Sequence, residues 1–303
     1  MKPENPKIVL KGALNPEDAK AVAALERACV QADGTAFKLE LDYKLSAAAE
    51  RAPGAAAWHM DELMAYDGDR LIGYLGAGFF GGEAPEAMGM VHPEYRRQRV
   101  FSALHRLAVA DWRGRGVKRA LLLSDRRSAS GRAFVEKLGA APHHSEYEMY
   151  LKEEPSLPGL PGPGISFRKA MNADAGEVAR QNALYFGEER GDGDREPELI
   201  LPEEEEAKGM AIHLAYWDGW IVGKVHLQLL NGLGGIYGLG VLPEYRGRGL
   251  GRAILLEGVR RLKAAGAGEV LLQVATGNES ALGLYKSCGF KVTSTMDYYA
   301  LNL

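Results

Sequence analysis

The residues best suited to chemistry in this chain lie in one turn and one short helix. Arg246-Gly247-Arg248-Gly249-Leu250-Gly251 follows a strand-like run at 235–241 and opens a helical pattern that includes Arg252. The first backbone N–H groups of a helix have no intrahelical partner, and the helix dipole adds partial positive charge there. Glycines let the main chain approach a bulky phosphate, and arginines add charge and forked donors. The turn therefore reads as an anion site; the plainer alternative is a glycine-rich turn with solvated arginines. Two nucleotide motifs are excluded. No Gly-Lys-[Ser/Thr] follows four spacers, as a P-loop needs, and Arg252 stands where a dinucleotide fingerprint needs its third glycine. Further on, Asn278, Tyr285 and Gly289-Phe290 fall within NESALGLYKSCGF. A phenol, with an ordinary pKa of about 10, keeps its proton at neutral pH and can donate it. A core aromatic is the alternative for Tyr285, and a helix cap for Asn278.

The elements around these residues occur twice. Pro93-Glu94-Tyr95-Arg96 returns as Pro243-Glu244-Tyr245-Arg246, and the same register aligns Gly73 with Gly223, Gly116 with Gly266, Ser130 with Ser280 and Gly139 with Gly289. Self-similarity held over so long a stretch signals a duplicated unit. Between the copies lies PSLPGLPGPG at 155–164, a stretch that can hold neither helix nor central strand. The expected domains are 1–153 and 165–303, joined by a linker at 154–164.

Each half begins with a helical segment, 16–31 or 173–186, with Asn15 and Asn172 as candidate N-caps. Hairpin strands follow; Asp218-Gly219 is a strong two-residue turn signal. In the second half a strand at 235–241 then leads through the turn to a helix at 249–265. A strand at 269–274, a helix at 280–287 and a strand at 291–301 complete it. The order predicts an α/β (α+β) fold in each half, a mixed central sheet flanked by helices.

Composition narrows the field. The 303 residues carry a net charge of −3 and only two cysteines, Cys29 and Cys288, which excludes a disulfide framework and a cysteine zinc site. The histidines show no metal-ligand spacing, and no metal is expected. The first ten residues lack the apolar region of a secretory signal, and no apolar run approaches the ~20 residues of a membrane helix. A cytoplasmic enzyme or binding protein is the expectation.

Val241-Leu242-Pro243 followed by Arg246-x-x-Gly249-x-Gly251, with Asn278, Tyr285 and Gly289-Phe290 downstream, resembles the GNAT N-acetyltransferases over essentially all of 165–303. The resemblance implies that two parallel strands splay at a bulge to admit the pantetheine arm of acetyl-CoA, the acyl donor. It implies that main-chain groups of Leu239, Val241 and Leu242 bind pantetheine and polarise the thioester. Backbone N–H groups across Arg246, Gly247, Arg248, Gly249, Leu250 and Gly251 would hold the pyrophosphate, with Arg248, Arg252 and Lys286 near phosphates. Asn278 would bind the pantetheine arm, and Tyr285 would protonate the leaving thiolate. The acceptor would be an amine, most simply of a small molecule, attacking directly in a ternary complex. The base is open: many relatives carry a carboxylate on the strand before the loop, where this chain has Tyr237, while His213 and His226 lie on nearby strands, and proton loss relayed through water is an equal alternative. Between 188 and 206 ten acids stand against two arginines; they could attract a cationic acceptor or form a solvated acidic loop.

The first half resembles the same family more weakly. Arg99 stands for Gly249, Phe101 for Gly251, Ser128 for Asn278 and Val135 for Tyr285. Twelve Lys/Arg against four Asp/Glu over 92–137 keep it basic, but no aromatic platform suggests nucleic acid. It reads as a catalytically dead duplicate packed on the active half, with retained CoA binding as a lesser alternative. For the whole chain the rival to an enzyme is a CoA-binding sensor or scaffold without turnover.

Overall fold

The computed structural model describes residues 6–49, 61–78, 84–153, 164–190 and 199–303. In chain order the first half forms β1 (Lys7–Lys11), α1 (Pro16–Asp33), α2 (Leu41–Ala49), β2 (Asp61–Asp67), β3 (Arg70–Gly78), β4 (Glu86–Val91), α3 (Val100–Gly114), β5 (Arg119–Asp125), α4 (Ala129–Lys137) and β6 (Ala141–Leu151). The second forms β7 (Ile165–Lys169), α5 (Ala175–Arg190), α6 (Pro202–Ala207), β8 (Met210–Trp217), β9 (Trp220–Leu230), β10 (Leu233–Val241), α7 (Leu250–Ala264), β11 (Glu269–Ala275), α8 (Glu279–Ser287) and β12 (Phe290–Asn302). The duplication read from the motifs reaches single-residue register: α3, β5 and α4 return as α7, β11 and α8 with the same lengths of 15, 7 and 9 residues.

The chain divides into two compact units that do not follow chain order. One comprises 1–146 with 294–303, the other 147–293. The last strand of each repeat is thus exchanged. Met296–Asn302 of β12 runs antiparallel to β5, while β6, whose residues 147–151 belong to the second unit, neighbours β11. Met296 and Tyr298 enter the first unit's core, and Met149 enters the second's. The Arg126 guanidinium and the Ser145 hydroxyl anchor Asp297 at 2.7 and 2.6 Å. Two strands of one ancestral kind fit each other's place, which is the condition for an exchange of identical elements. The linker expected at 154–164 lies outside the described residues except for Gly164.

In each unit helices cover both faces of a mixed sheet. In the first, Met64 and Met90 pack with Val22 and Leu25 of α1, while Leu63, Ala65 and Ile72 pack with Leu104 and Trp112 of α3. This period-2 alternation is what a sheet buried on both sides requires. In the second unit Val225, Leu227 and Ile236 face Ile254, Leu255 and Val259 of α7, and Ile212 and Leu214 face Val178 of α5.

Two local expectations need correction. Asn15 caps α1 with a full capping box, its Oδ1 accepting from Asp18 N at 2.8 Å. Asn172 does not cap α5. A 3₁₀ turn at Asn172–Asp174 precedes α5, Asp174 accepts from Met171 N, and Asn172 instead accepts from Glu203 N at 3.1 Å. Of the acidic segment, 191–198 lies outside the described residues, and Glu203–Glu206 lie on α6 rather than in a loop. Pro202 at the helix start and acids in the first turn suit that helix end. These acids also have local partners: Glu206 pairs with Lys169, and Glu205 with Lys208 at 2.9 Å.

Candidate active site

Strand pairing opens a cleft in the second unit. β10 and β11 run parallel but pair only from Leu233↔Glu269 to Ile236↔Leu272. Beyond that point β10 stays with β9 through a bulge between Tyr237 and Gly240, with Gly238 at φ +53°. One extra residue bends the strand and re-aims it. Pairing with β11 ends at Ile236, so Leu239 and Val241 lie beyond it on the strand, where a pantetheine arm can add as a strand does. Leu242 does not share this freedom: its N–H donates to the Val222 carbonyl at 2.9 Å, and its own carbonyl accepts from Tyr245 N at 2.9 Å.

Past a 3₁₀ turn at Pro243–Tyr245, the chain enters α7 through two left-handed residues, Gly247 at φ +75° and Gly249 at φ +77°. Gly249 is the N-cap and gives no side-chain cap to the first amides of α7. A Cβ at Gly251 would meet only ordinary contacts, 3.4 Å to Leu284 and 3.7 Å to Val241. No internal packing therefore demands glycine there, and the open amides and spare room suit a phosphate. The arginines are held from behind: Arg246 Nε donates to the Val241 carbonyl at 3.0 Å, Arg248 stacks on Trp217 at 5.2 Å, and Arg252 Nη1 reaches the Ser287 carbonyl at 3.2 Å.

Tyr285 and Asn278 take their places on α8. Asn278 is its N-cap, accepting from Ala281 N at 3.1 Å, so the capping role is real; the exposed side-chain amide nitrogen remains for a ligand. Tyr285 is 8% exposed and packs edge-on to Phe290. Burial pushes its phenol up to about 12. Among the described residues its hydroxyl has no partner, and it is not one of the buried orphaned atoms, so that end of the ring reaches solvent. Lys286 is exposed beside it.

The opposite face of the sheet holds a group that sequence reasoning missed. Lys224 of β9 is fully buried, under the rings of Tyr185 and Phe186 from α5 at 5.4 and 5.8 Å. Its Nζ donates to the Gly238 carbonyl at 2.9 Å and lies 3.1 Å from His226 Nε2. A lysine inside the otherwise buried run VGKVHL was the available signal. Burial, and then the Lys224 charge, hold the His226 imidazole well below the ordinary histidine value. His213 is elsewhere: it sits on β8 near Glu257 and Arg261 of α7, and burial first, then Arg261, lower it to about 4.

The first unit keeps the frame and changes the lining. β4 and β5 pair only at Glu86↔Leu121 and Ala87↔Leu122, and a cleft of about 520 Å³ opens beside them. Arg97 and Arg99 adopt φ +62° and +64°, the same left-handed path as the two glycines, at a cost on the order of 1 kcal/mol each. Phe101 fills the space left open at Gly251, 4.8 Å from Phe134 and tight against Gly89. Ser128 caps α4 as Asn278 caps α8, accepting from Gly131 N at 3.1 Å. Val135 is buried and cannot donate a proton.

Two units, each with mixed strands that splay beside a helix N-terminus, define a tandem GNAT fold. The chain belongs to the Acetyltransferase (GNAT) family, which it matches over residues 22–140 and again over 178–290. It is 30% identical over 260 residues to a mycothiol acetyltransferase of Mycolicibacterium smegmatis, covering 79% of this chain and 83% of that one. The corresponding enzyme of Thermobispora bispora is also 30% identical, over 91% of this chain and 93% of the relative. Among solved structures, a GCN5-related N-acetyltransferase from Sphaerobacter thermophilus aligns with a TM-score of 0.73 at 23% identity, over 100% of this chain and 97% of the other. A tandem GNAT protein from the clavulanic acid biosynthesis pathway aligns with a TM-score of 0.74 at 18% identity, over 98% of both chains. The chain is an acetyl-CoA-dependent N-acetyltransferase. Among the described residues no helix is long and apolar enough to cross a membrane.

Proposed function

We propose that the second unit transfers the acetyl group of acetyl-CoA to a primary amine of a small-molecule acceptor, by direct attack in a ternary complex. The observation that carries this reading is the coincidence, in one unit, of the splayed β10 and β11, the glycine turn and an accessible Tyr285 hydroxyl. The relatives named mycothiol acetyltransferase support a small acceptor. In this reading Leu239 and Val241 pair with the pantetheine arm and polarise the thioester carbonyl. The amides from Arg246 to Gly251 receive the pyrophosphate, and Arg248, Arg252 and Lys286 supply charge around it. Asn278 offers its side-chain amide to the arm. Leu242, with its main-chain groups committed, leaves the set. Tyr285 gives its proton to the departing thiolate as the carbon–sulfur bond breaks, and the attacking nitrogen, on forming its bond to carbon, loses its surplus proton through water. Orientation, charge stabilisation and proton transfer together supply the acceleration. The test is purified protein with acetyl-CoA and a panel of small amines, read as release of free thiol. Acceptor-dependent release is expected; acetyl-CoA binding with no release from any amine would leave the chain a sensor.

The cleft of the first unit favours a second, compatible reading, in which that unit holds acetyl-CoA without turning it over. Equilibrium dialysis is then expected to give two acetyl-CoA per chain, both retained when Tyr285 is replaced and turnover falls, and one retained when Gly249→Arg is combined with Gly251→Phe. A stoichiometry of one, abolished by changes at Gly249, would leave the first unit empty.

A further inference from the structure

One strand pair differs between the two copies. In the first unit β3 and β4 keep a single register from Gly73↔Val91 to Gly78↔Glu86. In the second, β9 and β10 step from His226↔Tyr237 to Lys224↔Gly240, so Val225 alone is opposed by both Gly238 and Leu239. A bulge leaves its extra residue outside the ladder, and the freed carbonyl needs another donor. Lys224 supplies it: its Nζ donates to the Gly238 carbonyl at 2.9 Å. The corresponding residue of β3 is Tyr74, whose hydroxyl bonds Glu62 and Lys44 instead. Bulge and ammonium thus occur together, in the copy that keeps Tyr285.

The ammonium is held in place from α5. It lies under the Tyr185 and Phe186 rings at 5.4 and 5.8 Å, and ring faces attract a cation most strongly where water is excluded. The Tyr185 ring also covers Gly240, where any Cβ would collide with it. Gly238 C=O and Leu239 N–H belong to one trans peptide, so they point in opposite directions. With its carbonyl on Lys224, that peptide aims the Leu239 N–H away from the ammonium. A hydrogen bond from an ammonium to the oxygen polarises the whole amide and makes its N–H a stronger donor, the more so in a low-dielectric interior.

We propose that Lys224 is a positioning residue of the transfer reaction: through the Gly238–Leu239 peptide it aims and strengthens the Leu239 N–H as a donor to the thioester oxygen of acetyl-CoA. The inference rests on the reading above for the place of the thioester, and on geometry alone for the aimed peptide. As the amine adds to the carbonyl carbon, negative charge collects on that oxygen. A stronger donor therefore favours the transition state over bound acetyl-CoA, and the effect of Lys224 falls on kcat rather than on affinity.

The thioester itself is the reporter. Acetyl-CoA labelled with 13C at the acetyl carbonyl is bound to the full-length protein without acceptor, and its carbonyl stretch is read by infrared difference spectroscopy. The spectrum of Gly249→Arg with Gly251→Phe, taken below its raised KM, is subtracted to remove acetyl-CoA held by the first unit. In the unaltered protein the band is expected at lower wavenumber than in water, and in Lys224→Met it should move back up. Lys224→Met should also lower kcat by at least about tenfold, part of the roughly hundredfold or more that a whole oxyanion donor supplies, while acetyl-CoA affinity stays within about threefold. Lys224→Gln, which keeps an N–H donor without the charge, should fall between the two in both measurements, and it serves alone if the methionine variant does not fold. A band or a kcat that stays in place on losing Lys224 overturns the proposal. So does a loss of acetyl-CoA affinity as large as the loss of kcat, since Lys224 would then only hold the strand. Turnover of no amine by the unaltered protein would instead defeat the transfer reading, and the band would still decide the Leu239 donor.

Discussion

Replacing Tyr285 by phenylalanine is expected to lower kcat by at least about a hundredfold, within the range that one positioned proton donor contributes. The substitution removes only the hydroxyl, which has no partner among the described residues, and leaves the ring packed against Phe290. Stability should therefore barely change, and acetyl-CoA should bind as before. The pH dependence has a definite sign. Burial raises the phenol to about 12, so its proton-bearing form persists well above neutrality. No loss of rate on the alkaline side should trace to Tyr285 below about pH 10, two units under that value. Pre-steady-state release of thiol, with binding measured separately, distinguishes the outcomes. A phenylalanine variant that turns over normally would remove Tyr285 from the chemistry.

Moving the first unit's residues into the second, as Gly249→Arg with Gly251→Phe, should raise the KM for acetyl-CoA by at least about a hundredfold, the worth of one or two lost charge-assisted hydrogen bonds. The first unit shows why the fold should survive. Arg99 already adopts φ +64° at the position of Gly249, and Phe101 is already accommodated at that of Gly251. The left-handed arginine costs on the order of 1 kcal/mol, and Tm should fall by only a few degrees. Ligand binding suffers far more, because a phenylalanine ring takes space that no internal contact uses in the native turn. Thermal unfolding beside KM separates the two effects. A large drop in Tm with KM unchanged would mean that the glycines serve the fold and not the phosphate.

The turn at 246–251 was legible because its geometry is local: left-handed φ values, a helix start and a preceding strand lie within a dozen consecutive residues. The duplication was legible for the same reason, since each repeat carries its own signals. Three features were not legible. α6 hid because four consecutive glutamates read as a solvated loop, although Pro202 starts a helix there. Asn172 reads as a cap for the helix that follows it, and only tertiary structure brings the Glu203 amide of α6 to its side chain instead. The commitment of Leu242 depends on Val222 of another strand.

Residue types and their local spacing already dictated a duplicated mixed α/β unit, a glycine-rich helix start in one copy and the loss of its glycines and phenol in the other. Tertiary structure alone decided which strand completes which sheet. β6 and β12 have interchangeable patterns, and their choice rests on partners far away in the chain, such as Arg126 for Asp297. It also decided the surroundings of His226. No spacing rule announces that Lys224 will be buried beside it, or that a bulge in β10 will bring the Gly238 carbonyl within 2.9 Å. Periodicity encodes what a residue's neighbours along the chain will do. The surroundings of a side chain are settled by whatever group the fold carries beside it.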